Sequence, residues 1–249
     1  MKPGNKERTP NDYYEWIKKF GYLQNHLVFF SDDQNVLNYM ASIRTNKKTT
    51  LMFVDRRKLI GFRNIEQIKE IFKLPGFGVF PEETGNYNYS AIMHSKHDMV
   101  RRAIMLFGNE SSYFAWVDIG LFRYASPVED FELKHSQYIE NGRILMSQAF
   151  PFKDETIESI IKNARTWISG AMMAGHVDSM LKFCNVYEEF FKKLISMKLI
   201  ATDEQVIYAL YSSQGQKLVI DIPKLSVFQC DYFGLYLLFT PMPTTDKCP

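Results

Sequence analysis

Apolar positions change their spacing along this chain, and each change marks an element. Tyr13, Trp16, Ile17 and Phe20 fall at i, i+3, i+4 and i+7, one face of a helix. Thr9 is placed to cap that helix and Pro10 to occupy its first position. Leu27-Val28-Phe29-Phe30 is then a continuous apolar run, the signature of a buried strand, and it ends in Ser31-Asp32-Asp33. A helix from about Gln34 to Arg44 turns Val36, Leu37 and Met40 inward. A strand over Thr49–Val54 and a helix over Asn64–Lys73 follow. Strand and helix alternate through this half, which predicts a mixed, mainly parallel sheet flanked by helices, an α/β fold.

Leu74–Asn88 holds Pro75, Gly76, Gly78, Pro81 and Gly85 and reads as a long loop of the kind that forms lids or binding segments. A helix over Tyr89–Phe107 leads from it to Ser112-Tyr113-Phe114-Ala115-Trp116-Val117-Asp118-Ile119-Gly120. That aromatic and β-branched strand stops abruptly at a carboxylate and a glycine. Ligands of open α/β sheets sit beyond the carboxyl ends of the strands. Asp118 released there can bind a metal or a sugar hydroxyl, and Gly120 lets backbone pass close to a ligand. The same two residues equally begin an ordinary turn.

The second half is less regular. It predicts a strand over Arg143–Ala149, a helix over Asp154–Asn163, a short strand over Arg165–Ser169 and a long amphipathic helix over Val177–Met197. Thr202-Asp203-Glu204-Gln205 is a capping box that opens a helix to about Tyr211, and Leu218–Ile222 reads as a strand. Val227–Phe239 gives no assignment. With no repeat and no linker, one domain is expected over the 249 residues.

Lys96 is the most telling side chain. On a helix over Tyr89–Phe107 it falls in the middle of the stripe formed by Ile92, Met93, Met99, Val100 and Ala103. An ammonium there needs an anionic partner or must snorkel to the helix edge. Asp118, on the strand this helix feeds, is the partner expected. His94, His97 and Asp98 have metal-compatible spacing but lie off the stripe and read as a solvated face. Asp203 and Glu204 read first as acids that favour a helix amino end. The glycines of Ser169–Gly175, just ahead of a long helix, suit backbone approach to an anion or a tight turn. No GxxxxGK[ST], GxSxG, HExxH or GxGxxG motif occurs, so phosphate-loop, serine-hydrolase and zincin chemistry lack support.

Charge and cysteine use narrow the class. A net charge of +2 argues against a nucleic-acid binder, which needs a basic face. Cys184, Cys230 and Cys248 show no metal spacing and cannot all pair, which suggests a reducing compartment. No run of apolar residues is long enough to span a membrane, and the opening residues carry no signal-like apolar segment; the expectation is a cytoplasmic protein.

In combination these pieces resemble the HtrL/YibB family, a group of glycosyltransferase-like proteins of the GT-A type. The resemblance runs from about Asn11 to Tyr211. It rests on Tyr14-Glu15-Trp16, Leu27–Asp32, Arg44, Tyr89 with Met93-His94-Ser95-Lys96, Tyr113–Gly120, Ala174-Gly175 and Thr202–Gln205. It implies a Rossmann-like single domain: residues 1–125 would bind a nucleotide-sugar donor, and residues 126–249 would face a carbohydrate acceptor of glycan or lipopolysaccharide type. Asp118 would stand where such enzymes carry a DxD motif for Mn²⁺ or Mg²⁺, with Gly120 replacing the second acid. Lys96 would supply positive charge to the leaving diphosphate. Asp32, Arg44 and Gly175 would lie on the donor side, and Asp203 or Glu204 would be the catalytic acid that contacts acceptor or sugar. The alternative is a non-catalytic relative that binds carbohydrate or a partner. Proteins of this type open with a strand ahead of the first helix, whereas Met1–Arg8 here is too polar to form one.

Overall fold

Thr9 caps the first helix as its sequence requires: its hydroxyl accepts from the Asp12 amide at 3.3 Å, and the Asp12 carboxylate accepts the Thr9 amide at 2.7 Å. The computed structural model describes residues 9–248, so the polar Met1–Arg8 lies outside the described residues. From that cap the order is α1 (Pro10–Lys19), β1 (Leu27–Ser31), α2 (Gln34–Ile43), β2 (Thr49–Phe53), α3 (Ile60–Arg63) and α4 (Ile65–Phe72). Then come α5 (Tyr87–His94), α6 (Lys96–Phe107), β3 (Tyr113–Val117), β4 (Arg143–Gln148), α7 (Ile157–Lys162), β5 (Ile168–His176), α8 (Val177–Ser196), α9 (Asp203–Tyr211) and β6 (Lys224–Phe228).

The chain is α/β, as its alternation requires, but its strands form two small sheets. β1 and β2 pair in parallel; the other four strands lie in the order β3-β5-β4-β6. In that second sheet β5 runs antiparallel to both neighbours, and only β4 and β6 are parallel. The expectation of a mainly parallel sheet is therefore corrected, and the cause is β5 itself. Ser169–Gly175, expected to give backbone approach to an anion or a tight turn ahead of a helix, is buried strand at the centre of the sheet. Gly175 serves packing there: a β-carbon on it would meet the Arg143 carbonyl oxygen and the Ile144 Cδ1, each at 3.1 Å.

Alternation along these strands divides the interior in two. Ile144, Met146 and Met173 face a core shared with α6, α8 and α9, whereas Leu145, Met172 and Ala174 face one shared with α1 and α2. Tyr187, Phe183, Phe190 and Phe191, all on α8 and wholly buried, fill the first core.

Three further expectations change. The helix over Tyr89–Phe107 is two helices, because the Ser95 hydroxyl bonds back to the Ala91 carbonyl at 2.8 Å and the path breaks there. The strand expected at Leu218–Ile222 begins instead at Lys224, after Pro223 and after Asp221, which adopts φ 59°. Cys230 and Cys248 form a disulfide, leaving Cys184 buried and free, so the cysteines do not argue for a reducing compartment. Among the described residues no helix is long and apolar enough to cross a membrane.

Candidate active site

The break at Ser95 makes Lys96 the first residue of α6 and turns its side chain toward the carboxyl end of β3. Its Nζ lies 3.3 Å from Asp118 Oδ2 and 3.0 Å from Asp203 Oδ2, and it donates to the Gly170 carbonyl at 3.0 Å. The expected pairing of Lys96 with Asp118 is present, and Asp203 joins it from the first turn of α9. Lys96 and Asp203 are almost wholly buried, whereas Asp118 keeps 27% of its side chain exposed. Burial opposes the charge on Lys96, but Asp118 and then Asp203 more than offset it and hold the ammonium above its usual range. Burial and the Asp118 charge raise the Asp203 carboxyl against the pull of Lys96.

Glu204, the next residue of α9, accepts from the Gly170 amide at 2.9 Å and from the Tyr232 hydroxyl. Burial first, and then the neighbouring Asp203 charge, push its carboxyl up to about 7 against those two hydrogen bonds. The capping box holds α9 in place: the Thr202 amide and hydroxyl reach Gln205 Oε1 at 3.1 and 2.6 Å. Gly170 is the pivot. A β-carbon there would stand 2.8 Å from Asp203 Oδ2 and 3.2 Å from Lys96 Nζ. A glycine is needed for the two acids and the lysine to close around β5.

Three contributors were not singled out from the sequence. Trp116 donates its Nε1 hydrogen to Asp118 Oδ1 at 2.6 Å. Its position two residues before Asp118, on the same side of one strand, was the available signal. Gly170 was seen only as half of a glycine pair. Tyr232 lies in the stretch that gave no assignment, and nothing local marks it.

Asp118 and Lys96 stand at the boundary of two spaces. One is a cleft of about 2230 Å³ that runs along β1 and β3 and takes in Asp32, Arg56, Tyr89 and Tyr232. The other is a hole of about 30 Å³, room enough for a water molecule, between Lys96, Asp203, Glu204 and the loop residues Glu82 and Glu83. Two residues of the Pro- and Gly-rich loop thus border the acids.

The other expected residues separate. Asp32 lines the cleft and is ion-paired with Arg56. Gly120 lines the cleft next to Asp118 and is buried beside Arg123, whose Nε donates to its carbonyl at 2.9 Å. Arg44 is a tie within the fold: Nη1 reaches the Phe20 and Leu23 carbonyls at 2.6 and 2.5 Å, Nη2 that of Asn25 at 2.9 Å, and Nε reaches Thr49 Oγ1 at 2.8 Å. It does not line the cleft. Gly175 is likewise enclosed in the sheet. His94 and His97 are buried, which corrects the expectation of a solvated face. Both rings pack against the aromatic side chains of α8 instead of facing solvent. His94 Nδ1 meets the Tyr187 hydroxyl at 2.7 Å, and the His97 ring stacks on Tyr187 with centroids 3.5 Å apart. Burial holds both imidazoles neutral, His94 near 3.

The donor set does not fit a divalent cation. Among the described residues no three His, Cys, Asp or Glu side chains gather as metal ligands. Both oxygens of Asp118 are already engaged, one by the Trp116 N–H and the other by the Lys96 ammonium. What the arrangement offers is a strand-end carboxylate facing a cleft, a buried cation behind it, and a carboxyl that exchanges its proton near neutrality.

No curated protein and no solved structure matches this sequence. The model of the family described as "Bacterial protein of unknown function (HtrL_YibB)" matches residues 4–241, nearly the whole length. The chain belongs to the HtrL/YibB family.

Proposed function

We propose that this protein is a glycosyltransferase that moves a sugar from a nucleotide-sugar donor to an acceptor hydroxyl, on the GT-A plan. The observation that carries the reading is the Lys96–Asp118–Asp203–Glu204 cluster at the carboxyl end of β3: Lys96 and Asp118 line a cleft large enough for a donor, and Asp203 and Glu204 stand directly behind them around the small hole. Asp118 accepts a hydrogen bond from a sugar hydroxyl. Lys96 offsets the charge of the departing diphosphate. Glu204, which titrates near 7, takes the acceptor proton. The bond from the anomeric carbon to the phosphate oxygen breaks and its electron pair leaves with the nucleoside diphosphate. The acceptor oxygen bonds to that carbon and its proton passes to the Glu204 carboxylate. The chemistry uses the chain's own charges, since the residues present do not fit a resident Mn²⁺ or Mg²⁺.

A second reading, a non-catalytic carbohydrate-binding relative, draws on the mutual satisfaction of the four groups and the nearly complete burial of Glu204. One experiment separates the two. The protein is titrated with a panel of nucleotide sugars, with and without Mn²⁺, and donor hydrolysis and transfer are followed. Turnover that Asp118→Asn and Glu204→Gln abolish supports the transferase. Binding without turnover supports the second reading. No binding at millimolar donor, with Asp118→Ala silent, rejects the transferase.

A further inference from the structure

The cleft carries an aromatic strip centred on Arg123. The guanidinium carbon lies 4.4 Å from the centre of the Trp16 ring and 4.1 Å from that of Phe233, so one planar cation lies over both rings. Tyr13 continues the strip from Trp16, with ring centres 5.0 Å apart, and Tyr232 continues it from Phe233 at 4.7 Å. All five side chains line the cleft. The Tyr232 hydroxyl bonds to Glu204, so the strip joins α1 to the acid proposed to take the acceptor proton.

Its parts come from three separate stretches of chain, and two of them are visibly fixed. Arg123 Nε donates to the Gly120 carbonyl at 2.9 Å, and a β-carbon on Gly120 would collide with the guanidinium where it now lies. The glycine that ends the Asp118 strand thus lets the arginine fold back across the strand end. Asp231, beside Tyr232, is clamped to the last segment: its amide donates to the Lys247 carbonyl at 2.7 Å, and its carboxylate accepts the Lys247 amide at 2.9 Å. The Cys230–Cys248 bond closes the same clamp.

Tyr13, Tyr232 and Tyr124 are exposed, and Tyr124 flanks Phe233 with ring centres 5.8 Å apart. Contiguous exposed aromatic surface along a cleft marks a binding site. The surrounding charges select the ligand. Asp231 and Asp246 line the same cleft, and Asp246 is within electrostatic reach of Arg123. A pyranose has a C–H face to lay on a ring and rim hydroxyls that donate to carboxylates and accept from a guanidinium. A lipid tail leaves the cation and the acids unmet. A polyanion meets two carboxylates, so nucleic acid and anionic lipid are disfavoured.

We propose that this strip is a carbohydrate subsite that takes a short oligosaccharide of uncharged pyranose units, laid from Tyr13 to Tyr232 with one end at Glu204. The length follows from the strip: four successive contacts of 4.1–5.0 Å separate Tyr13 from Tyr232, more than a single sugar ring covers. The proposal rests on the sugar-transfer reading only in making the bound chain the acceptor.

The probes are cellotetraose, maltotetraose and chitotetraose, set against glucose and N-acetylglucosamine, titrated into the whole protein by calorimetry. The expected result is that at least one tetrasaccharide binds at millimolar concentration or below, about tenfold or more tighter than its monosaccharide. Trp16→Ala and Tyr124→Ala should each weaken it by about tenfold, whereas Trp16→Phe, which keeps a ring, retains most of the affinity. Tyr124 is exposed, so its variant tests the strip without disturbing the core. Three results would overturn the proposal: no tetrasaccharide bound at millimolar concentration, monosaccharides bound equally well, or both alanine variants binding like the parent. Nucleotide-sugar affinity on the same samples separates the failures. Donor bound with every tetrasaccharide rejected sinks this inference alone; tetrasaccharide bound through these rings with every donor rejected sinks the transferase and leaves the strip standing.

Discussion

The Lys96 ammonium lies 3.0 Å from the Asp203 carboxylate, and both side chains are almost entirely out of water. They come from the first turns of α6 and α9, so this pair fixes where two helices meet the end of β3. Asp118 completes the arrangement from the strand side at 3.3 Å. A single buried cation thus balances two aspartates, and either aspartate alone would be a costly group to bury.

Removing the cation should therefore cost more than removing the whole pair. Lys96→Met is expected to destabilise the protein by about 3–5 kcal/mol, because it leaves charged or protonated carboxyls without their partner. Adding Asp203→Asn to it should recover part of that loss. Urea unfolding of both single variants and the double gives the coupling energy, and strictly additive losses would contradict the pairing.

Gly170 offers a test that alters no charge. Gly170→Ala drives a methyl between Lys96 and Asp203, and an overpacked site of this kind costs about 1–3 kcal/mol. It should also weaken donor binding. Gly175→Ala crowds the sheet interior instead and serves as the comparison: a loss of stability with donor affinity unchanged in the folded protein. Calorimetry on the two variants separates the site from the scaffold.

What the sequence made legible was short in range. The caps and apolar phases of α1, α2, α8 and α9 are written in neighbouring residues, and so is the strand ending at Asp118. Lys96 stands out because a cation among apolar residues requires a partner, even though the one helix that periodicity suggests is interrupted immediately before it. β5 was hidden because Gly170, Ala171, Ala174 and Gly175 lack the β-branched signal of a strand; their small size makes sense only between β3 and β4. His94 and His97 were misplaced because their partners, Tyr187, Phe183 and Phe191 of α8, lie far along the chain. Tyr232 and the Cys230–Cys248 bond depend on the path of the last segment, which no local pattern encodes.

Arg44 was expected near the donor and is instead a structural tie. Arg44→Met would strip the donor from the Phe20, Leu23 and Asn25 carbonyls at once, each an acceptor that costs about 1–3 kcal/mol when left unmet in the interior. A large drop in the urea midpoint is expected, with nucleotide-sugar affinity unchanged for the protein that remains folded. A selective loss of donor affinity at unchanged stability would return Arg44 to the binding site.

Glu204 gives the pH dependence a definite sign. Burial and the Asp203 charge raise its carboxyl from 4.5 to about 7 in the folded protein. Below about pH 4.5 the carboxyl is protonated whether folded or not, and its contribution to stability is fully present. Between about 4.5 and about 7 the unfolded chain releases the proton while the folded chain keeps it, so that contribution is lost as pH rises. The loss totals about 3 kcal/mol, since each pH unit in that window removes about 1.4 kcal/mol. Glu204→Gln keeps an oxygen for the Gly170 amide and the Tyr232 hydroxyl but cannot ionise. The variant should match the parent near pH 4 and become more stable than it by about 3 kcal/mol at pH 8. The buried neutral histidines contribute to both curves and cancel in the difference. Urea unfolding from pH 4 to 8 measures that difference, and parallel curves would show that Glu204 is already ionised in the folded protein at neutral pH.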